Sequence, residues 1–123
     1  MKKPIIGITL DSEKKKTYSK FPWYALRENY LTSLTKFNAI PFPLLHEKKY
    51  IDDFCHLIDG LIITGGDFDI HPKLYKTSNT QSKNIKNKRT NFELNIFNKF
   101  FKYNKPILGI CGGAQLINVA CSG

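Results

Sequence analysis

The residues best suited to chemistry lie at Gly109-Ile110-Cys111-Gly112-Gly113, a glycine-bracketed cysteine that follows an apolar run and opens an apolar helical segment. A strand running straight into G-x-nucleophile-x-G has the form of a nucleophile elbow, with Cys where α/β hydrolases often carry Ser. Small neighbours suit so tight a turn, because adjacent elements approach it closely. The elbow would lift the sulfur to the carboxyl end of a sheet, where open α/β folds bind ligands. It would also set Cys111 at a helix N-terminus, whose partial positive charge favours thiolate over thiol. The Gly112 amide would then point toward an oxyanion. The plainer alternative is a small buried hydrophobe at a strand end, a common fate of free Cys. The flanking glycines and the strand–helix context favour the nucleophile.

A second glycine pair, Gly65-Gly66, abruptly ends the run Gly60–Thr64, as a plain strand-ending turn would. The histidines offer poor bases. His46 and His56 flank a short predicted helix, and His71 lies in a polar loop after Asp67. No His/Cys/Asp/Glu set has metal-ligand spacing, so no metal is expected, and GGDFD is not a calcium loop.

The elements that must position these residues read as β α β α β, loop, α β α. Pro4–Leu10, Ile40–Leu45, Gly60–Thr64 and Pro106–Ile110 are short apolar runs, hence strands. Asp11–Lys20 is polar and Lys-rich, a loop. Pro22 opens a helix to about Phe37, in which Tyr24, Leu26, Tyr30, Leu31, Leu34 and Phe37 recur at three- and four-residue spacing. Asn38 follows as a left-handed cap. Helices are also expected at Tyr50–Leu57, from Phe92 to Phe101 and at Gly112–Ala120, with a long polar loop over 67–89. Strands alternating with helices predict a three-layer, doubly wound, mostly parallel sheet. Ile6, Ile8, Leu61, Ile63, Leu108 and Ile110 are therefore expected to be buried.

Length and composition agree with one α/β domain: 123 residues, 41% hydrophobic and 24% charged, too short for two domains. No stretch approaches the roughly 20 apolar residues that span a bilayer. Ile5–Leu10 after Met1-Lys2-Lys3 lacks a cleavage site and reads as a first strand, not a signal peptide. Three cysteines without CxxC spacing argue against a disulfide framework, and a cytoplasmic location without membrane contact is expected. Net charge is +9, of which residues 70–123 hold 9 basic groups against Glu93 alone. Such a half could attract nucleic acid or another anion. Seventeen of the 19 basic residues are scattered Lys, however, and Asn reaches 10, a profile that codon bias also produces. No stacking platform for RNA accompanies it, so nucleic acid is not the expected partner.

Gly109–Gly123 resembles the nucleophile segment of class I glutamine amidotransferases. The wider pattern is similar to their γ-glutamyl hydrolase branch, the peptidase C26 type that includes γ-glutamyl-γ-aminobutyrate hydrolases. PIIGITL, GLIITGGDFDIHPKLY, Arg89 with Phe92-Glu93, and GICGGAQLINV carry the likeness, in order, from Lys3 to Gly123. The resemblance implies a flavodoxin-like sheet, here ending after the nucleophile helix, so that residues 1–123 form the N-terminal half of the family domain. It implies Cys111 as nucleophile on a γ-glutamyl amide, forming a thioester that water or an amine resolves. It further implies Gly66 and Gly112 as oxyanion donors, Gln115 as a residue holding the glutamyl group, a small γ-glutamyl or glutamine-like substrate, and no cofactor. Gly112 stands where the branch usually has Arg, Thr90 where it has an acidic residue, and Ser122-Gly123 where it closes on Gly-Gly. The family's His and Glu come far downstream of the nucleophile and are absent from this sequence. The expected outcomes are a truncated, inactive amidohydrolase or a half completed by a second polypeptide. The alternatives are a non-catalytic remnant and a basic anion-binding module.

Overall fold

The chain runs β1 (Ile5–Thr9), β2 (Asp11–Glu13), β3 (Trp23–Ala25), α1 (Glu28–Lys36), β4 (Ile40–Leu44) and, after a 3-10 turn at Lys48–Tyr50, α2 (Ile51–Leu57). It continues through β5 (Gly60–Ile63), α3 (Asn87–Lys102), β6 (Ile107–Gly109) and α4 (Gly112–Ala120). This is a computed structural model that describes residues 2–66 and 87–123. The expected loop falls largely outside the described residues, and its last three positions, 87–89, already belong to α3.

Four strands form one sheet in the order β4-β1-β5-β6, every pair parallel, as the alternation of elements predicts. The chain steps from β1 outward to β4, then crosses back to the other side of β1 for β5. The ends of β1 and β5 therefore flank the point where strand order reverses, which is where open α/β sheets bind ligands. The four predicted strands all appear, within a residue or two of their expected ends.

Between β1 and α1 the expectations need correction. Trp23–Ala25, read as the start of a helix, instead pairs antiparallel with Asp11–Glu13, read as loop. The aromatic pair Trp23-Tyr24 suits a pleated ribbon, and the Trp23 indole N–H is satisfied by Lys15 O at 3.2 Å. The helix begins only at Glu28, after Arg27 in extended conformation.

Three helices end in one way. After α1, α3 and α4, Asn38, Asn104 and Ser122 take positive φ (59°, 53° and 64°). Each donates its amide to the carbonyl three residues back, and the next residue reaches five back, as in Ser122 to Val119 O at 3.0 Å and Gly123 to Asn118 O at 2.7 Å. This is the Schellman arrangement, with Asn or Ser in place of the commoner Gly. α2 lacks it, and Lys105 Nζ instead donates to its terminal carbonyls, Cys55 O and Ile58 O.

Alternation along the strands sorts the side chains onto two faces. One face carries α2, α3 and α4 over a core that includes Leu44, Leu61, Ile63, Phe92, Ile96, Phe100 and Leu116. The other carries α1, which packs chiefly over β4. Ile8, Leu61 and Ile63 are buried as expected and Ile6 is half-buried, but Leu108 and Ile110 are 55% and 36% exposed. They lie on the α1 face of β6, where they line an open groove with Asn29, Tyr30 and Leu34 of that helix, and among the described residues β6 is paired only on its β5 side.

Candidate active site

Cys111 joins β6 to α4 with φ 54° and ψ −109°. That pair lies outside even the left-handed helical basin, so the residue is strained. The glycines around it have a steric origin. A Cβ at Gly113 would fall 1.9 Å from Ile63 O, and one at Gly109 would fall 2.7 Å from the Gly113 carbonyl. The helix thus starts so close to β5 and β6 that no side chain fits at either place. Gly113 N–H donates to Ile110 O and Gln115 N–H to Cys111 O, closing the first turn. The Gly112 amide heads that turn, where helical amides have no intrahelical partner. Cys111 itself is exposed, and Gln115 sits one turn along α4, also exposed. Among the cysteines, Cys55 is buried and Cys121 exposed, and all three are free.

The double glycine meets this elbow. β5 and β6 pair in the register Ile63 to Gly109, and Ile110 N–H extends it to Ile63 O at 3.0 Å. Carried two residues further, the register sets Gly65 level with Cys111. A Cβ on Gly65 would lie 3.0 Å from Cys111 Cβ and 3.6 Å from Gly112 N. Gly65 therefore touches the elbow, and Gly66 follows at an exposed position.

Both glycines line a cleft of about 260 Å³ whose other walls are Asp11, Ala25, Leu26, Arg27, Tyr30 and Thr64. It opens at the ends of β1 and β5, the strand-order reversal noted above. Beneath it the strand ends are tied together: Thr64 N–H donates to Thr9 Oγ1 at 3.0 Å, and Thr64 Oγ1 donates to Thr9 O at 2.9 Å.

Arg89, fully buried on α3, braces this floor. Its Nη2 donates to Thr64 O (2.8 Å), Thr64 Oγ1 (2.9 Å) and Gly65 O (3.2 Å). Nε bonds Glu93 Oε1 at 3.1 Å, and Nη1 pairs with Asp11 at 3.2 Å. Burial pushes the Glu93 carboxyl up from its ordinary range, opposed by the charge of Arg89. The sequence reading attached no role to this group beyond the resemblance. The available signal was the placement of Arg89 and Glu93 on the same helical stripe as Phe92, Ile96, Phe97 and Phe100, where a charge must be paired.

The histidines do not join this arrangement through any described contact. His46 is buried against Phe92 and Tyr24, with Nε2 bonded to Leu10 O at 2.9 Å. Burial lowers its pKa. His56 Nδ1 bonds Asp52 O at 2.8 Å within α2. His71 lies outside the described residues. No helix among the described residues is long and apolar enough to cross a membrane.

A parallel sheet whose exposed thiol stands on a strained strand–helix turn, with a glycine pair against it, fits the glutamine amidotransferase-like class of α/β proteins. The chain belongs to the Peptidase C26 family, whose profile matches residues 4–123. It is 45% identical over 125 residues to "Putative glutamine amidotransferase-like protein RP404" of Rickettsia prowazekii, covering 98% of this chain and 44% of that protein. A second relative, "Putative glutamine amidotransferase-like protein YvdE homolog" of Lactococcus lactis subsp. cremoris, is 38% identical over 74 residues, 59% of this chain and 39% of its own length. "Protein NtpR" of Enterococcus hirae is 30% identical over 98 residues, covering 78% of this chain and 41% of that protein. The chain thus spans less than half the length of these relatives.

Proposed function

We propose that the chain carries the nucleophile and oxyanion parts of a cysteine-dependent amidohydrolase site acting on small γ-glutamyl or glutamine-like amides. The observation that carries this is the strained backbone of Cys111 with Gly65 packed against it at the strand-order reversal. Strain of that kind persists only where surrounding structure imposes it, and it clusters at reactive residues. In the proposed reaction the Cys111 sulfur adds to the γ-carbonyl carbon, and the oxyanion is held by the Gly66 and Gly112 amides. The C–N bond then breaks, the amine leaves with a proton, and water hydrolyses the thioester to the free γ-carboxylate. Gln115, one turn beyond the sulfur, is the proposed contact to the glutamyl group.

The departing amine needs a proton, and acid–base help of this kind is worth about 10²–10⁴-fold. His46 and His56 are engaged with Leu10 O and Asp52 O, so the proposed donor is a group on a second polypeptide. Without it the 123-residue chain acylates slowly and turns over poorly. The test is incubation with γ-glutamyl-p-nitroanilide, followed by mass spectrometry of the protein and release of p-nitroaniline, beside a Cys111→Ala control. The expected result is a γ-glutamyl adduct confined to Cys111, forming far more slowly than the about 1 per second of ordinary enzymes. An adduct that is absent, or spread equally over Cys55 and Cys121, refutes the proposal.

A further inference from the structure

We propose that Arg89 is a positioning residue that turns the Gly66 amide into the cleft by holding the Gly65 carbonyl from the buried side. The inference rests on the reading of Gly66 as an oxyanion donor and adds how its direction is fixed.

A peptide unit is planar and trans, so its C=O and the following N–H point in opposite directions. The carbonyl of Gly65 and the amide of Gly66 belong to one such unit. Arg89 Nη2 lies 3.2 Å from Gly65 O, on the α3 side of the turn, with no exposed surface of its own. That bond points the carbonyl toward the protein interior, and the Gly66 N–H must then face away from it, on the side where Gly66 lines the cleft. The preceding unit is locked as well. Its carbonyl, Thr64 O, accepts from the same Nη2 at 2.8 Å, while its amide, Gly65 N–H, donates to the Tyr30 hydroxyl at 3.2 Å. One guanidinium nitrogen therefore sets two successive peptide planes. Glycines need such outside control, since without a Cβ they leave the peptide free to flip.

The guanidinium is in turn held by Glu93 and Asp11. A Lys at 89 would keep the charge, but an ammonium lacks the planar fork that bonds two carbonyls and two carboxylates at once.

The test uses the ¹⁵N,¹³C-labelled chain, wild type, Arg89→Lys and Arg89→Gln. Cys111 labelling is timed with a glutamine-derived chloromethyl ketone, whose carbonyl oxygen occupies the oxyanion position, and with iodoacetamide, which needs no such site. In both reagents the sulfur displaces a halide ion. The expected result for both variants is a loss of about 10²–10³ in ketone labelling, the range for one missing oxyanion donor, with iodoacetamide labelling of the folded protein little changed. The Gly65 and Gly66 amide resonances should shift while those beyond the first turn of α4 stay. Undiminished ketone labelling in Arg89→Gln overturns the proposal, and so does an equal fall with both reagents, which marks a structural role only. If wild type shows no preference for the glutamine-derived ketone over an alanine-derived one, the γ-glutamyl reading fails. The Gly66 resonance still judges the positioning role in that case. Should both variants fail to fold, the wild type decides: a scalar coupling across the hydrogen bond from Arg89 Nη to the Gly65 carbonyl carbon is expected, and its absence overturns the proposal.

Discussion

Replacing Gly113 by Ala pits helix propensity against packing, and the two predict opposite signs. Position 113 lies inside the first turn of α4, where Gly→Ala ordinarily gains about 0.5–1 kcal/mol. Here the added Cβ would lie 1.9 Å from Ile63 O and 2.6 Å from Ile63 C, about 1.5 Å inside the 3.4 Å at which ordinary contact begins. The atoms it meets are backbone of β5, in the middle of the sheet, and cannot rotate away. Overpacking costs roughly 1–3 kcal/mol, and an unyielding neighbour places this case at the upper end. After subtracting the propensity gain, the expected net loss is about 2 kcal/mol. Urea unfolding followed by far-UV circular dichroism should show the midpoint lowered by about 1–2 M, given slopes near 1–1.5 kcal/mol/M for a small domain. Relief of the clash requires α4 to lift off β5, carrying the elbow with it. A displacement near 1 Å is enough to cost about 10²-fold in a positioned reaction, so γ-glutamyl adduct formation at Cys111 should fall by that order. Ala114→Gly, at the exposed neighbouring position, serves as the control and should lose about 1 kcal/mol by propensity alone. If Gly113→Ala unfolds at the wild-type midpoint or above it, the steric account of the elbow glycines is wrong.

Three further outcomes are expected. Cys111→Gly should be more stable than Cys111→Ala by about 1–3 kcal/mol in the same assay, because only Gly adopts φ 54°, ψ −109° without strain; equal stabilities would remove the strain from the argument. His46, whose pKa burial lowers, binds fewer protons folded than unfolded, so wild-type stability should decline as pH falls below about 6.5. His46→Gln should flatten that decline, and an unchanged pH profile counts against it; Glu93, shifted the other way, contributes with opposite sign and is common to both proteins. The side of β6 that is unpaired among the described residues, with Leu108 and Ile110 exposed, should make the 123-residue chain self-associate at high concentration. Light scattering should report this and show it reduced in Leu108→Lys, whereas a monodisperse wild type would argue that the edge is harmless.

Period and boundary residues made most of the fold legible. The four parallel strands declare themselves as short apolar runs, and Asn38 is readable as a cap because few residues accept positive φ. The elbow was legible for the same kind of reason: two glycines flank a cysteine where a strand meets a helix, and each is required by a backbone approach. Trp23–Ala25 departs from the helical expectation because a helical spacing of apolar residues continues through it, while nothing local announces its strand partner ten to fourteen residues upstream. Leu108 and Ile110 were expected to be buried because apolar strands usually have helices on both faces, but which strands α1 covers depends on where it lands. Arg89 was hardest to interpret. Its significance lies in contacts to Thr64, Gly65 and Asp11, all more than 20 residues away in the chain, and spacing along α3 reveals only the bond to Glu93.

The two proposed oxyanion amides are thus fixed by different means. Gly112 takes its direction from the helix it heads, and that helix is set by close packing of Gly109 and Gly113 on the strands, a matter of volume that tolerates no added carbon. Gly66 takes its direction from the Gly65 carbonyl, which is held by hydrogen bonds from a buried cation, a matter of charge and orientation. Steric substitutions at the elbow should therefore disturb both the thiol and its helix, with stability falling in step. Substitutions around Arg89 act on the facing strand end and leave the elbow standing. A variant that loses glutamyl acylation while keeping simple alkylation of Cys111 separates the two, and only the charged network can produce it.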